Sequence, residues 1–388
     1  MLHVATVLGS GGLEKWLVDL YAAMDPSQFD TCLLAQSDLI SIHGERARQL
    51  GIPVFTLARG RNLLSFAAGF WNVLKTKGPF DVVHSHVHYF SGVVLALAWL
   101  AGVPVRIAHG HNDTSQWSRS LARRLYAAVA RFLISVFATH GFGVTAACVR
   151  DLFGASCARD RRWQVLPCGI PLSAFHATWD RVGVAAELGI DPRAFVIVHV
   201  GRFSAMKNHE FSLRLLARLA LPDAVLLLLG EGELEERLHQ FARELGVHDR
   251  VVFAGVRADI PRLLSGLADA LILPSLPGEG ASIAATEAQA SGVRALLSES
   301  TPESSIIVPG LVQRLGIGTG VEPWATALTD NRGVRSPVPA AECLRLVEAS
   351  GFTIDANCRV LSEVYTSCGE HPDRTHRRSM WHRRSVRL

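Results

Sequence analysis

Apolar residues in this chain gather into short, near-continuous runs, and each run ends at glycine, histidine or a charged turn. Leu2 to Leu8, Asp30 to Gln36, Asp81 to His86, Val105 to His109 and Gln164 to Pro167 form a first set. Residues 196–200, 225–229, 251–254, 270–273 and 294–297 form a second. Short runs rich in valine, leucine and isoleucine read as strands buried on both faces. Between them, apolar positions recur at helical spacing, as in Glu14 to Met24, Gly92 to Gly102 and Ala146 to Phe153. A last helix is expected after Gly351-Phe352-Thr353-Ile354-Asp355, ending near Tyr365. Strands alternating with helices predict an α/β architecture of parallel sheets covered on both sides. Ligands of such sheets bind outside the carboxyl ends of the strands. The residues that follow each run are therefore the candidates for chemistry.

The chain has 388 residues, longer than a single core sustains, so two domains are expected. Hydrophobic residues make up 49% and charged residues 19%, which excludes a disordered chain and supplies two buried sheets. The N-terminus, Met1-Leu2-His3-Val4, already reads as a strand rather than a signal peptide. The longest apolar stretch, Gly92 to Val103, is too short to span a bilayer. Seven cysteines (32, 148, 157, 168, 343, 358, 368) show no paired spacing and read as reduced thiols of a cytoplasmic protein. The formal net charge of +4 is unevenly placed: residues 371–388 carry six arginines (374, 377, 378, 383, 384, 387) against one acid, Asp373. The body is thus near neutral, and the basicity belongs to a tail that reads as disordered.

The strand at Ala270 to Leu273 runs into Pro274-Ser275-Leu276-Pro277-Gly278-Glu279-Gly280-Ala281-Ser282 and then a small-residue helix carrying Glu287. A helix start offers free N–H groups and a positive dipole end, so Gly280, Ala281 and Ser282 suit a phosphate or a sugar hydroxyl. Glu279 lies at the mouth of the turn, and Glu287 is expected about two helical turns further in, on nearly the same face. The strand Val196 to Val200 runs into Gly201-Arg202-Phe203-Ser204-Ala205-Met206-Lys207-Asn208. Arg202 offers a bidentate fork and Lys207 a mobile point charge, which together make an anion site. Amides and cations for phosphates, with carboxylates for hydroxyls, fit a nucleotide-sugar.

Three further features bear on function. Gly9-Ser10-Gly11-Gly12-Leu13-Glu14 turns after the first strand, but a dinucleotide fingerprint would need glycine where Glu14 stands, which argues against NAD. His84, His86 and His88 share one strand face by period two, as do His109 and His111. Histidines so spaced can hold a metal, which gives a metal-dependent hydrolase as one alternative. A metal site would also want carboxylates at later strand ends, where the chain has glycines and the Gly-Arg-Lys loop. Finally, Arg119, Arg123, Arg124 and Arg131 lie among Leu121, Leu125, Tyr126, Val129, Phe132 and Leu133, a basic amphipathic helix of the kind that lies on membranes.

The running order strand-Gly201-Arg202-x4-Lys207-Asn208, Gly230-Glu231-Gly232, Phe253-x-Gly255-Val256-Arg257-x-Asp259-Ile260 and Glu279-x7-Glu287 resembles that of the retaining glycosyltransferases of family 4. It looks most like their exopolysaccharide and capsule-building branch. The resemblance covers about residues 1 to 368 and is strongest in the C-terminal half. It implies the GT-B fold, two Rossmann-like domains facing across a cleft. On that reading residues 1–168 form the acceptor-side domain and 169–352 the nucleotide-sugar domain. Residues 353–368 form a helix crossing back to the first domain, and 369–388 the tail. Cys168-Gly169-Ile170-Pro171 resembles the family's hinge, Pro-Asn-Gly-Ile-Asp, with Cys168 in place of asparagine and Pro171 in place of aspartate. The resemblance further implies that Arg202 and Lys207 neutralise the leaving diphosphate and that Glu279 holds sugar hydroxyls. Glu287 would bind the ribose diol, and Val256 and Arg257 would lie at the base. The loop Gly11, Gly12, Glu14 would pass close to acceptor and diphosphate. One of His109 and His111 would be the cleft histidine, the spacing leaving the choice open. The donor would be a nucleoside diphosphate sugar, UDP-linked by expectation, bound without metal or other cofactor. The acceptor would be a glycan, lipid-linked and met at the inner face of the membrane, and no nucleic acid would be involved. A sugar-nucleotide epimerase of the same fold is the other alternative.

Overall fold

The computed structural model describes residues 1–37, 41–57, 63–114, 120–334 and 336–367. Arg119, Cys368 and the tail 371–388 lie outside the described residues. The first sheet has seven strands: β1 Leu2–Ala5, β2 Cys32–Ala35, β3 Val54–Thr56, β4 Val82–Ser85, β5 Val105–Gly110, β6 His140–Gly143 and β7 Trp163–Val165. Their spatial order is β3-β2-β1-β4-β5-β6-β7. The second sheet has six: β8 Phe195–Val200, β9 Ala224–Leu229, β10 Val251–Phe253, β11 Ala270–Leu273, β12 Arg294–Ser298 and β13 Val312–Leu315, in the order β10-β9-β8-β11-β12-β13. Every pairing in both sheets is parallel. The order reverses between β1 and β4 in the first sheet and between β8 and β11 in the second. These are the switch points at which doubly wound sheets open a crevice. Two Rossmann-like domains of GT-B type, as the sequence predicted, are therefore present.

Each sheet is coated on both faces by apolar helices. In the first, Leu2, Val4, Leu34 and Val83 belong to one face and Ala5, Leu33, Val82 and Ile107 to the other. In the second, Ile197, Leu226 and Ile272 oppose Val196, Leu227 and Leu271. This alternation of period two is what a strand buried on both sides produces.

Strands β3, β6 and β13 were absent from the sequence-based expectation. β6 reads His-Gly-Phe-Gly, in which two glycines remove the apolar signal. They are needed there, because a Cβ on Gly141 would run into the rings of Phe153 and Trp163, which stack at 4.3 Å. The first strand is also shorter than its apolar run, ending at Ala5 rather than Leu8. His88 is not on a strand face. β4 ends at Ser85, and His88 occupies a turn at φ 52° with its Nε2 3.2 Å from the Asp151 carboxylate.

The helix Ile354–Thr366 returns to the first domain. Ile354, Leu361 and Tyr365 join the core that contains Leu8, Trp16 and Leu17. Its entry is pinned by Ile170, whose N–H donates to the Phe352 carbonyl at 3.0 Å and whose carbonyl accepts from the Ile354 N–H at 3.0 Å. Fully buried Asn357 completes the joint: its Oδ1 accepts from Trp16 Nε1 and from the Gly169 N–H, both at 2.7 Å. Asn357→Leu strips the partner from two buried donors, each costing about 1–3 kcal/mol. We expect a loss of roughly 2–5 kcal/mol in urea unfolding, and an unchanged midpoint would refute this account of the joint.

Candidate active site

The carboxyl ends of both sheets face one cleft of about 500 Å³, lined from the first domain by the glycine turn, His86 and His111 and from the second by the loops after β8, β10 and β11. Of the residues singled out in the sequence, Gly11, Gly12, Glu14, His111, Gly201, Arg202, Lys207, Val256, Arg257, Glu279, Gly280, Ala281, Ser282 and Glu287 all line it. His109 does not: it is fully buried beneath, with Nε2 3.3 Å from the Leu166 carbonyl oxygen.

The loop after β8 is shaped by two close approaches. Gly201 sits against the Lys207 methylenes, and a Cβ on Gly230, at φ 149°, would collide with the Gly201 carbonyl. Asn208 adopts a left-handed conformation at φ 54° and donates from Nδ2 to the Pro274 carbonyl at 3.1 Å, tying this loop to the one after β11. Asparagine tolerates that conformation better than most residues. Lys207 is thereby delivered to Glu279, and the two side chains form an ion pair. Arg202 is half-exposed at the rim, 3.2 Å from the Glu233 carboxylate.

The helix carrying Glu287 begins at Ile283, so Glu279 lies in the preceding turn and Glu287 in the second turn of the helix. The two carboxylates share a cleft rather than one helix face. Glu287 is buried and meets a partner that the sequence reading missed: Lys15, at 3.3 Å, from the opposite domain. Lys15 also donates to Asp19 at 2.7 Å, and Asp19 pairs with Arg46 at 3.2 Å. Burial works against the charge on Lys15, yet Glu287 and Asp19 hold its pKa above the ordinary value. Glu14, expected in a substrate loop, folds back over its own helix start. Burial raises its carboxyl pKa, opposed by hydrogen bonds from the backbone N–H groups of Glu14 and Gly11 and by the charge of Arg202. Arg257 lines the cleft, but its guanidinium is engaged by Asp259 at 2.8 Å and Glu187 at 2.7 Å, with Arg262 sharing both carboxylates. Its side chain is thus held by two carboxylates.

The two domains touch through backbone. Asn112 and Glu279 form an antiparallel bridge, and the Asp113 N–H donates to the Gly278 carbonyl at 3.1 Å. Gly280 lies directly on the His111 carbonyl oxygen, with no room for a Cβ. Only glycine permits that approach.

Behind His111 the structure gathers His3, His84, His86 and His109, of which His3 carried no signal in the sequence. It arrives because β1 pairs β4 with His3 opposite His84. Burial lowers the pKa of all five, to about 3 for His3 and His111, so the rings are neutral. Two triads, His3/His84/His86 and His86/His109/His111, have one nitrogen each within 4.8 Å of the others and are the places among the described residues where imidazoles could hold a metal.

Comparison with known proteins bears on this architecture. Residues 11–169 match the glycosyl transferase 4-like domain, and residues 184–327 match glycosyl transferases group 1. EpsF of Bacillus subtilis (strain 168), named as a candidate glycosyltransferase, is 32% identical over 375 residues, covering 94% of this chain and 96% of its own. A D-inositol 3-phosphate glycosyltransferase of Nocardia farcinica is 28% identical, over 75% of this chain and 67% of its own. Among solved structures, HepE of Anabaena, described in complex with UDP-glucose, superposes with a TM-score of 0.76 at 20% identity over 94% of this chain and 99% of its own. WaaG, described as a glycosyltransferase involved in lipopolysaccharide biosynthesis, superposes at 0.68 and 16% identity over 95% and 100%. Extended kinship to EpsF, together with successive matches in both halves of a two-Rossmann cleft, means that this chain belongs to the group 1 glycosyltransferases, with a 4-like first domain.

Proposed function

We propose that the cleft takes a nucleoside diphosphate sugar, with UDP as the nucleotide, and moves the sugar with retention onto a growing lipid-linked glycan in exopolysaccharide or other cell-surface polysaccharide synthesis. The observation that carries the reading is the convergence of Arg202, Lys207 and residues 280–282 on one cavity that Glu279 and Glu287 also line. Arg202 and Lys207 neutralise the diphosphate as the bond from its oxygen to the anomeric carbon breaks, where the electrostatic demand is greatest. The acceptor hydroxyl bonds to that carbon from the same face, and its proton passes to the departing diphosphate oxygen. No protein base is required. Glu279 holds sugar hydroxyls, Glu287 the ribose diol, and the backbone of Val256 and Arg257 the base. Relatives of like fold described with UDP and UDP-glucose support the donor choice, and WaaG's description supports a surface glycan as product.

Membrane contact on the acceptor side is favoured by one surface. The helix Leu121–Phe137 buries its small residues Ala127 and Ala130, with Ile134, and turns its large ones outward. Leu121, Leu125, Val129, Phe132 and Val136 are exposed at spacings of three and four, Leu121 by 81% and Phe132 by 65%. Trp99 and Leu100 of the neighbouring helix Ser91–Leu100 extend the patch. Among the described residues no helix is long and apolar enough to cross a bilayer. An exposed apolar stripe beside Arg123 and Arg124 is the form of a helix that lies in a membrane interface.

Arg202→Ala and Lys207→Ala each remove a charge-assisted contact worth about 1.5–3 kcal/mol. Sugar transfer is expected to fall roughly ten-fold or more in each, and wild-type rates in both would remove the phosphate role. Glu279→Gln is expected to lower turnover while UDP still binds, whereas Glu287→Gln weakens UDP itself. Equal UDP affinity in calorimetry for both variants and the parent would end that division of labour. For the membrane, co-sedimentation with anionic vesicles is the measurement. Leu125→Glu with Phe132→Glu should release the protein at low and high salt alike, because the apolar contribution of such side chains, about 1.5–3 kcal/mol each, is not screened. Deleting residues 371–388 should instead weaken binding only at low salt, since each arginine near an anionic surface contributes about 1 kcal/mol by a screened attraction. Failure of the full chain to bind at low salt would rule out the membrane reading.

A further inference from the structure

The four buried histidines and the partly exposed His111 are not a random packing of imidazoles. Four of them and one phenol form a single file from the cleft to the last helix. His111 Nε2 is 3.0 Å from His86 Nδ1, and His86 Nε2 is 3.1 Å from His3 Nδ1. His3 Nε2 is 3.4 Å from the Tyr365 hydroxyl, which is 2.8 Å from His84 Nδ1. We propose that His86 and His3 are positioning residues that lock His111 in one tautomer, with its proton on Nδ1 and facing the cleft. The proposal rests on the reading of the cleft as the site of sugar transfer, where His111 would meet substrate.

The argument is one of proton counting. A neutral imidazole carries one N–H and one bare nitrogen. In a file of neutral rings, each donating to the next, the direction chosen at one link fixes every other. If Tyr365 accepted from both His3 and His84, its own buried O–H would be left without a partner, so it donates to one of them and two directions remain. In the first, protons point inward: His111 donates to His86, His86 to His3, His3 to Tyr365, and Tyr365 to His84. His84 Nε2 must then carry an N–H, and that atom is buried without a partner. In the second, protons point outward. His84 Nδ1–H donates to Tyr365, Tyr365 O–H to His3 Nε2, His3 Nδ1–H to His86 Nε2, and His86 Nδ1–H to His111 Nε2. The orphan at His84 Nε2 is then a bare acceptor. A buried donor without a partner is the rarer and costlier defect, so the outward direction holds.

Its consequence falls on His111. Nε2 accepts from His86, so the proton resides on Nδ1. That nitrogen faces the Cys168 sulfur at 3.7 Å, a long contact to a weak acceptor. Both residues line the cleft. A substrate oxygen displaces sulfur as the acceptor at little cost, so the file presents His111 to the substrate as a hydrogen-bond donor.

The test is nitrogen-detected NMR of the full-length protein labelled with 15N-histidine, with His111 assigned through His111→Gln. The expected parent spectrum has a protonated Nδ1 and a bare Nε2 on His111. Tyr365→Phe deletes one hydroxyl without opening a cavity and ends the file at His3; by the same count His3 Nε2 is then left a bare acceptor rather than an unpartnered donor, so His111 should keep its proton on Nδ1. UDP affinity by calorimetry should stay within about two-fold, a change well below the contribution of one hydrogen bond. His86→Gln should move both His111 resonances toward those of a tautomer mixture, since it breaks the link next to His111. A parent His111 protonated on Nε2 would overturn the proposal, as would resonances that His86→Gln leaves unmoved or a proton that Tyr365→Phe shifts to Nε2. One equivalent of tightly bound metal in the purified protein, lost in His86→Gln, would also overturn it, because ligation consumes the lone pairs that the file needs. If UDP fails to bind the parent protein while His111 keeps its proton on Nδ1, the donor-site reading falls and the tautomer lock stands.

Discussion

A chain leaving a parallel strand cannot turn straight back into its neighbour; it must cross over, here through a helix, before it pairs again. Strands that all pair this way gather their carboxyl ends at one edge. When two such sheets face each other, both edges converge, and the chemistry collects between them. Everything distinctive in this chain follows that edge: the glycine turn after β1, His86 after β4, His111 after β5, and the loops of Lys207 and Glu279 after β8 and β11. The remaining surfaces of both sheets are given to apolar packing. The constraint also sets what the loops may be. Where backbones must touch across the cleft, side chains have to vanish, and Gly280 on the His111 carbonyl is the clearest case.

A cleft formed in this way concentrates charge in a place poorly reached by water. The structure answers by pairing. Lys207 meets Glu279, Lys15 meets Glu287, and Arg202 meets Glu233. Leaving any one of the buried members bare would be costly. On the proposed donor reading, a diphosphate would exchange partners with a carboxylate on reaching Lys207, and a ribose would share Glu287 with Lys15. Part of the attraction between cations and phosphate would then be spent on separating existing pairs, while the released carboxylates would become acceptors for hydroxyls. A ligand carrying both phosphates and a diol suits the cleft better than one carrying either alone.

How much of this was legible in the sequence depended on whether the signal was local. The motif Gly201-Arg202-x4-Lys207-Asn208 declared itself because its spacing encodes a loop, and the structure adds only why asparagine follows the lysine: the left-handed turn at Asn208. The strands with continuous apolar runs were readable for the same reason. β6 was not, because its glycines answer to Phe153 and Trp163, which are distant in sequence. Lys15 and His3 were illegible as site residues on equal grounds. Each owes its role to a partner fixed by sheet order or domain approach, Glu287 in one case and His84 in the other. The helix Leu121–Phe137 shows the limit of amphipathic reasoning. Its apolar stripe was visible, but which residues turn inward was not: Ala127, Ala130 and Ile134 are buried, and the helix passes Gly92 so closely that a Cβ there would meet Leu133 and the Ala130 carbonyl.

The helix Gly12–Ala23 shows how these constraints meet in one element. Its first turn is the glycine loop, closed by Glu14 folding back on Gly11. The next residue, Lys15, crosses the cleft to Glu287. Trp16 points the other way, its Nε1 donating to Asn357 of the last helix while its ring packs edge-on against His86 and His109. Asp19, one turn later, steadies Lys15. Successive positions on an α-helix diverge by about 100°, so three consecutive residues necessarily address three different neighbourhoods: their own turn, the opposite domain and the crossover helix. A rotation or shift of this helix cannot be confined to one of them. The glycine loop, the pairing at Glu287 and the seating of Tyr365 are thus mechanically linked.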